Sequence, residues 1–208
     1  MKKRPSNPIK DTENVLNIQD YLLANSQREQ EGLRNYVLFV VGITTGFRAG
    51  DLVKLQVRDV KEAIRSGEFL ILEGKKKNAK NIREKNRKPR SAEILPTVAK
   101  IMRDYIKDKQ DYDYMFPSRK GGPIGVQAVS NILKDAGEYF GLRNISAHSM
   151  RKTYAYKIFR DNGNDILAVK ELLGHSSIEE TKLYLGLDRD LYHRYSKALN
   201  DFVKVNKG

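Results

Sequence analysis

The residues best suited to chemistry lie in the last third of the chain, where all three histidines, His148, His175 and His193, are found. His148 and Arg151 stand three apart in the stretch Ala147-His148-Ser149-Met150-Arg151. On a helix they share one face, close to an N-terminus that follows Ser146. Backbone amides, the positive end of the helix dipole, an imidazole and a guanidinium then converge, which suits a phosphate oxyanion. The same pair also fits an ordinary solvated surface. The second histidine stands in Leu172-Leu173-Gly174-His175-Ser176-Ser177, a tight corner in which Gly174 ends one helix. Ser176 with Glu179, or Ser177 with Glu180, offers the capping box that starts the next. Tyr184 follows His175 by nine residues, about two and a half helical turns, so its phenol can return towards the same corner. The bland alternative is an amphipathic core tyrosine, one of 11 in the chain.

A second chemical feature is electrostatic. Between Lys75 and Arg90 lie Lys75, Lys76, Lys77, Lys80, Arg83, Lys85, Arg87, Lys88 and Arg90, opposed by the single acid Glu84. The run sits between two apolar strand-like segments, Glu68 to Leu72 and Ala92 to Leu95, and reads as a long basic hairpin tip suited to phosphate rather than as a purely solvated loop. The whole chain of 208 residues carries 39 Lys+Arg against 26 Asp+Glu, a formal net charge of +13. That balance points to nucleic acid or an anionic surface as partner. With no cysteine there is no disulfide framework, no thiolate nucleophile and no Cys-based metal site. No apolar run approaches the roughly 18 residues that span a bilayer, and the basic start lacks the apolar segment of a signal peptide. A cytoplasmic protein is the corresponding expectation.

The elements that must position these residues follow from periodicity and punctuation. Met1 to about Lys10 reads as an extended arm, with Asn17 capping a first helix that carries Ile18, Tyr21, Leu22 and Leu23. Leu33 to Thr45 is the most apolar segment and predicts a buried helix stopping at Gly46. A further helix opens near Ala49 with Leu52, Val53 and Leu55, and the strand pair follows. A helix over Thr97 to Lys109 places Val98, Ile101, Met102 and Ile106 on one face, and the loop Asp111 to Pro123 ends it. Helices are then expected around Val126 to Tyr139, His148 to Arg160, Asp165 to Leu173, Ile178 to Leu185 and Asp190 to Lys204. Gly141, Gly163, Gly174 and Gly186 punctuate them.

Taken together, Thr45-Gly46-Phe47-Arg48-Ala49-Gly50-Asp51-Leu52, the His148-x-x-Arg151 pair, and Leu173-Gly174-His175 followed by Tyr184 resemble the tyrosine recombinases, or phage integrase family, in order and spacing. The resemblance spans roughly Leu33 to Leu187. It implies an α+β, mainly helical catalytic-domain fold, with a small antiparallel sheet beside a helical bundle. The activity it implies is site-specific DNA strand exchange: Tyr184 attacks a phosphodiester, forming a 3′-phosphotyrosine and freeing a 5′-hydroxyl. Because the covalent intermediate keeps the bond energy, that chemistry needs no ATP, and positive side chains rather than a metal offset the transition-state charge. The implied site is Arg48 and Arg151 on the nonbridging oxygens, His148 and His175 donating to those oxygens or exchanging a proton with the nucleophile, and a lysine of the strand-connecting turn as acid. Lys75 is the choice for that lysine, with Lys76 close behind and Lys77 still open, on a turn longer than the family's usual one. DNA binding is assigned to Lys76, Lys77, Lys80, Arg83, Lys85, Arg87, Lys88 and Arg90.

The partners implied are double-stranded DNA and three further copies of the chain on paired sites, with a monomer compatible with the absence of DNA. The boundaries expected are an extended basic arm over 1–16, a catalytic domain over 17–187 and a C-terminal helix or tail over 188–208 that the family exchanges between protomers. The family's N-terminal core-binding domain has no counterpart in the roughly 30 residues before Leu33. The chain is therefore expected to be either a catalytic domain cut from a longer protein or a short member like the fimbrial-switch inverting recombinases. Two other functions share these features: a DNA-binding regulator with the recombinase fold, and a type IB topoisomerase-like relaxing enzyme.

Overall fold

In the computed structural model, which describes residues 5–24, 28–71 and 90–187, the first helix, α1 (Thr12–Ala24), begins five residues before the expected cap at Asn17. Asp11 is the reason: its carboxylate accepts from the Glu13 amide at 3.3 Å, and its carbonyl accepts from the Val15 amide at 3.2 Å. Of the arm expected over 1–16, the described residues outside a helix thus run only from Pro5 to Asp11. This stretch is also docked, because the Asn7 amide donates to the Asn144 carbonyl at 3.0 Å, the Ile9 amide donates to Thr153 Oγ1 at 2.9 Å, and Ile9 is buried.

The chain divides into two compact units, Met1–Tyr154 and Ala155–Gly208. In the first, α2 (Glu29–Thr45) buries Val37, Leu38, Phe39, Val40 and Val41 in succession, as a helix surrounded by other elements does. It packs on α1 and on α5 (Pro96–Ile106), whose Val98, Ala99, Met102, Tyr105 and Ile106 are buried. After Gly46 comes a single turn, α3 (Ala49–Leu52). It is shorter than the helix expected to reach Leu55, because the backbone from Leu55 to Arg58 is taken by the later loop. The Leu55 carbonyl accepts from the Met115 amide at 2.7 Å, and the Val57 and Arg58 amides donate to the Asp113 and Asp111 carbonyls at 2.9 Å. A separate helix, α4 (Val57–Ser66), then starts with the Gln56 amide donating to the Asp59 carboxylate at 2.9 Å, and buries Val57, Val60 and Ala63.

Strands β1 (Glu68–Ile71) and β2 (Arg90–Glu93) form an antiparallel pair, in register from Glu68 opposite Glu93 to Ile71 opposite Arg90. The predicted sheet is present, and the remainder of the described unit is mainly helical. Helix α6 (Val126–Tyr139) matches its expected limits, and α7 (Ala147–Asp161) contains the division between the units.

In the second unit α8 (Ile166–Leu173) and α9 (Ile178–Leu185) pack on each other. Among the described residues their core is Ala155, Phe159, Val169, Leu173, Leu185 and Leu187. Gly174 and Gly186 end the two helices in the left-handed conformation, at φ 67° and 66°, as their placement predicted. The helix expected over Asp190 to Lys204 lies outside the described residues. Among those residues no helix is long and apolar enough to cross a membrane.

Candidate active site

The first unit builds an arginine-bearing corner from the end of α2. Thr45 donates its hydroxyl to the Val41 carbonyl at 2.7 Å, and Gly46 turns the chain at φ 61° with its amide on the Gly42 carbonyl. Only glycine fits there, since a Cβ at Gly46 would fall inside the Tyr154 ring as well as demanding a left-handed residue. Phe47 is fully buried and meets Phe69 of β1 edge to face at 6.1 Å, which pins the turn to the sheet. Arg48 is the N-cap residue of α3, half-buried, with its carbonyl accepting from the Asp51 and Leu52 amides.

Arg151 reaches the same corner from α7. It is 2% exposed, and its Nη1 donates to the Gly46 carbonyl at 2.8 Å, two residues from Arg48. The first turn of α7 is closed by Ser149, whose Oγ accepts from the Ser146 amide at 3.0 Å. His148, on that turn, is exposed. Helix α7 lies close against α2, because a Cβ on Gly42 would come within 2.5 Å of Met150 Sδ. Next to Arg151, Lys152 is buried, and desolvation pushes its pKa below the usual lysine value.

The second unit holds the other expected residues. His175 is half-buried, and its Nδ1 lies 3.1 Å from Thr181 Oγ1. The Thr181 hydroxyl donates to the Ser177 carbonyl at 3.2 Å, so the histidine Nδ1 carries the proton towards Thr181 and the lone pair of the neutral ring resides on Nε2. Of the two capping boxes the sequence allowed, half of the Ser177 and Glu180 box is made: Ser177 Oγ accepts from the Glu180 amide at 3.1 Å, and no bond returns to the Ser177 amide. The Glu180 carboxylate reaches back to Ser176, amide and hydroxyl both at 3.0 Å. The His175 and Tyr184 rings meet at 4.9 Å between centroids, inclined at 66°. The nine-residue spacing therefore returns the phenol-bearing ring to the histidine corner.

The sequence reading did not single out Thr181, although it stands in the quoted segment and only the fold shows it holding His175. Nor did it single out Tyr154, whose ring closes over Gly46. Lys75, Lys76, Lys77, Lys80, Arg83, Lys85, Arg87 and Lys88 lie outside the described residues. Of that basic run, Arg90 alone falls within them, opening β2. Among the described residues no cluster of His, Cys, Asp or Glu is arranged to hold a metal ion.

The signature described as the phage integrase family matches residues 16–190. The chain is 30% identical over 184 residues to the probable integrase/recombinase YoeC of Bacillus subtilis (strain 168), covering 88% of this chain and 91% of that protein. It is also 30% identical to the tyrosine recombinase XerC of Herpetosiphon aurantiacus, covering 81% of this chain but 53% of the relative, so it spans about half of that longer protein. Among solved structures, XerA recombinase is similar with a TM-score of 0.65 at 23% identity, covering 95% of this chain and 66% of that one. XerH site-specific recombinase bound to its palindromic difH substrate is similar with a TM-score of 0.64 at 19% identity, covering 93% and 53%. At such identities the structural likeness speaks to the fold. With the signature covering most of its length and a relative matched nearly end to end, the chain belongs to the phage integrase family, the tyrosine recombinases.

Proposed function

We propose that this protein is a site-specific DNA recombinase that cuts and rejoins strands through a 3′-phosphotyrosine. The Tyr184 oxygen forms a bond to phosphorus, the bond to the 5′ oxygen breaks, and that oxygen leaves as a hydroxyl after taking a proton from a lysine of the basic segment, Lys75 or its neighbour Lys76. The phenol's own proton passes to a base, for which His175 stands beside the Tyr184 ring with its lone pair on Nε2. Arg48 and Arg151 hold the nonbridging oxygens as charge builds on them, and His148 donates at the exposed first turn of α7. Attack by a 5′-hydroxyl on the phosphotyrosine reverses the step and rejoins the strand.

The observation that carries this reading is the bond from Arg151 to the Gly46 carbonyl, which sets a permanently charged guanidinium beside the turn bearing Arg48. A surface pair would leave Arg151 in water. DNA is held by the basic run from Lys76 to Arg90, and the active assembly is a tetramer on two duplexes coupled through the tail over 188–208. Similar proteins have been seen on DNA, XerH on difH among them.

The test is incubation with supercoiled plasmid followed by denaturation and a search for covalent protein–DNA adducts. Tyr184→Phe removes the attacking oxygen and little else, so adducts are expected to vanish while DNA affinity stays within about twofold of the original. Adducts that persist in Tyr184→Phe would move the nucleophile elsewhere, with Tyr192 and Tyr195 next in line. A wild-type protein that binds DNA containing its site and never forms adducts would be a regulator.

A further inference from the structure

Helix α7 meets the end of α2 at two glycines one helical turn apart. A Cβ on Gly42 would come within 2.5 Å of Met150 Sδ, and a Cβ on Gly46 within 2.2 Å of Tyr154 Cδ1. Glycine at both places lets side chains of α7 rest directly on the backbone of α2. Met150 and Tyr154 stand four apart on α7 and share a face, and Arg151, three before Tyr154, borders it. The two contacts differ in kind. Met150 is fully buried and belongs to the large core, whereas Tyr154 is half-buried and, among the described residues, belongs to neither hydrophobic cluster.

What the Tyr154 ring does touch is main chain. Its Cδ1, Cε1 and Cγ fall 2.2, 2.7 and 2.7 Å from the place a Cβ on Gly46 would take, so the ring lies over the Gly46 Cα. The peptide that joins Gly46 to Phe47 is thereby held three times. Its carbonyl accepts from Arg151 Nη1 at 2.8 Å, its amide donates to Thr45 Oγ1 at 3.4 Å, and the ring covers its first Cα. In a trans peptide the C=O and N–H point in opposite directions, so the two hydrogen bonds leave rotation about the line through them open. A contact on the Cα closes that rotation. Phe47, on the other side of the same peptide, is already fixed against Phe69, and Arg48 follows it directly.

We propose that Tyr154 is a positioning residue for strand cleavage: its ring fixes the Gly46–Phe47 peptide, and through that peptide it sets Arg151, bonded to the carbonyl, and Arg48, one residue beyond. The proposal rests on the recombinase reading, in which both guanidinium groups must be in place before charge builds on the phosphate. The acting part is the face of the ring and not the hydroxyl. A flat ring lies close against a Cα, where a branched or flexible side chain of similar size leaves the peptide room to tilt.

The experiment uses the full chain and reads three quantities together: the rate of covalent adduct formation at saturating supercoiled plasmid, the affinity for that DNA, and the Gly46 Hα signals in the nuclear magnetic resonance spectrum. In the wild type the ring current of Tyr154 is expected to move a Gly46 Hα signal upfield. Tyr154→Phe should keep that shift, with rate and affinity within about twofold of the original. Tyr154→Leu, and the unbranched Tyr154→Met as a second variant should the first not fold, are expected to lose the shift and to slow adduct formation about a hundredfold, the weight of a misplacement of about 1 Å, with DNA affinity within about twofold. Gly46 signals at ordinary positions in the wild type overturn the proposal before any substitution is made. It is also overturned if Tyr154→Phe falls as far as Tyr154→Leu, which would assign the effect to the hydroxyl, or if the Leu and Met variants cleave at the original rate. The recombinase reading survives each of those results. A wild-type chain that shows the Gly46 shift and forms no adducts sinks that reading, and the cleavage role of Tyr154 with it.

Discussion

Arg151 is buried and bonded to the backbone of a turn that glycine alone can make, and its chain neighbour Met150 and Phe47 of that turn are both fully buried. His175 and Tyr184 are half-buried in a unit whose core, among the described residues, is six side chains, with Leu167 and Leu183 of the same helices 56% and 66% exposed. The arginine corner is thus set by a large core and the backbone, whereas the histidine corner rests on local contacts such as the Ser177 cap, the Thr181 hydroxyl and the meeting of the His175 and Tyr184 rings. In the reaction proposed, this difference matches the two tasks. Groups that stabilise developing charge gain most from being fixed in advance, because nothing need reorganise when the charge appears. A nucleophile that must attack, stay bonded and later be released gains from an element of lower local stability.

Beyond loss of the nucleophile, the largest effect that tests this contrast is removal of an arginine. Arg48→Ala and Arg151→Ala are each expected to slow cleavage at least about a thousandfold. They should separate in stability, since Arg151→Ala alone leaves the buried Gly46 carbonyl without its guanidinium donor, at a cost of about 1–3 kcal/mol in urea titration. Equal stability of the two variants would break the claim that Arg151 is part of the framework. Gly46→Ala sharpens it further: a left-handed residue and a collision with Tyr154 together predict a loss of about 2 kcal/mol or more, with cleavage falling in parallel.

In the tyrosine-bearing unit the expected effects are smaller. Thr181→Val keeps the shape but removes the oxygen facing His175 Nδ1, which frees the ring to change tautomer. Cleavage should fall about tenfold while stability changes by less than about 1 kcal/mol. Unchanged cleavage would mean that His175 does not act through Nε2. The smallest effect belongs to Lys152. Its folded-state pKa is depressed by burial, so above that value the unfolded chain binds one proton more than the folded one. Lys152 therefore makes stability rise with pH from that lowered pKa up to the ordinary lysine range, near 10.4. Lys152→Met is expected to flatten that rise, and a profile identical to the original would remove the burial argument.

Much of this was legible in the chain because the signals were local. Gly174, Gly186, Ser177 and Glu180 end and start helices through bonds within a few residues, and the limits of α6 and α9 agree with those expected from the separating glycines and caps. Helix α4 was missed, and α3 overextended, for the opposite reason. What stops α3 is the pairing of Leu55 to Arg58 with a loop more than 50 positions later, which no window on the sequence contains. The start of α1 was misplaced because Asp11, a cap by its chemistry, stands inside a stretch that charge and proline made look unstructured.

The sequence by itself determined the chemistry on offer: two arginines, two histidines and a tyrosine in a recognisable order, a strong positive charge, and helices whose punctuation places Tyr184 one short helix beyond His175. Those properties reside in residue types and short spacings. Which groups meet was decided only by the tertiary structure, because a guanidinium at 151 and a carbonyl at 46 become partners only when α7 packs against α2 at a glycine.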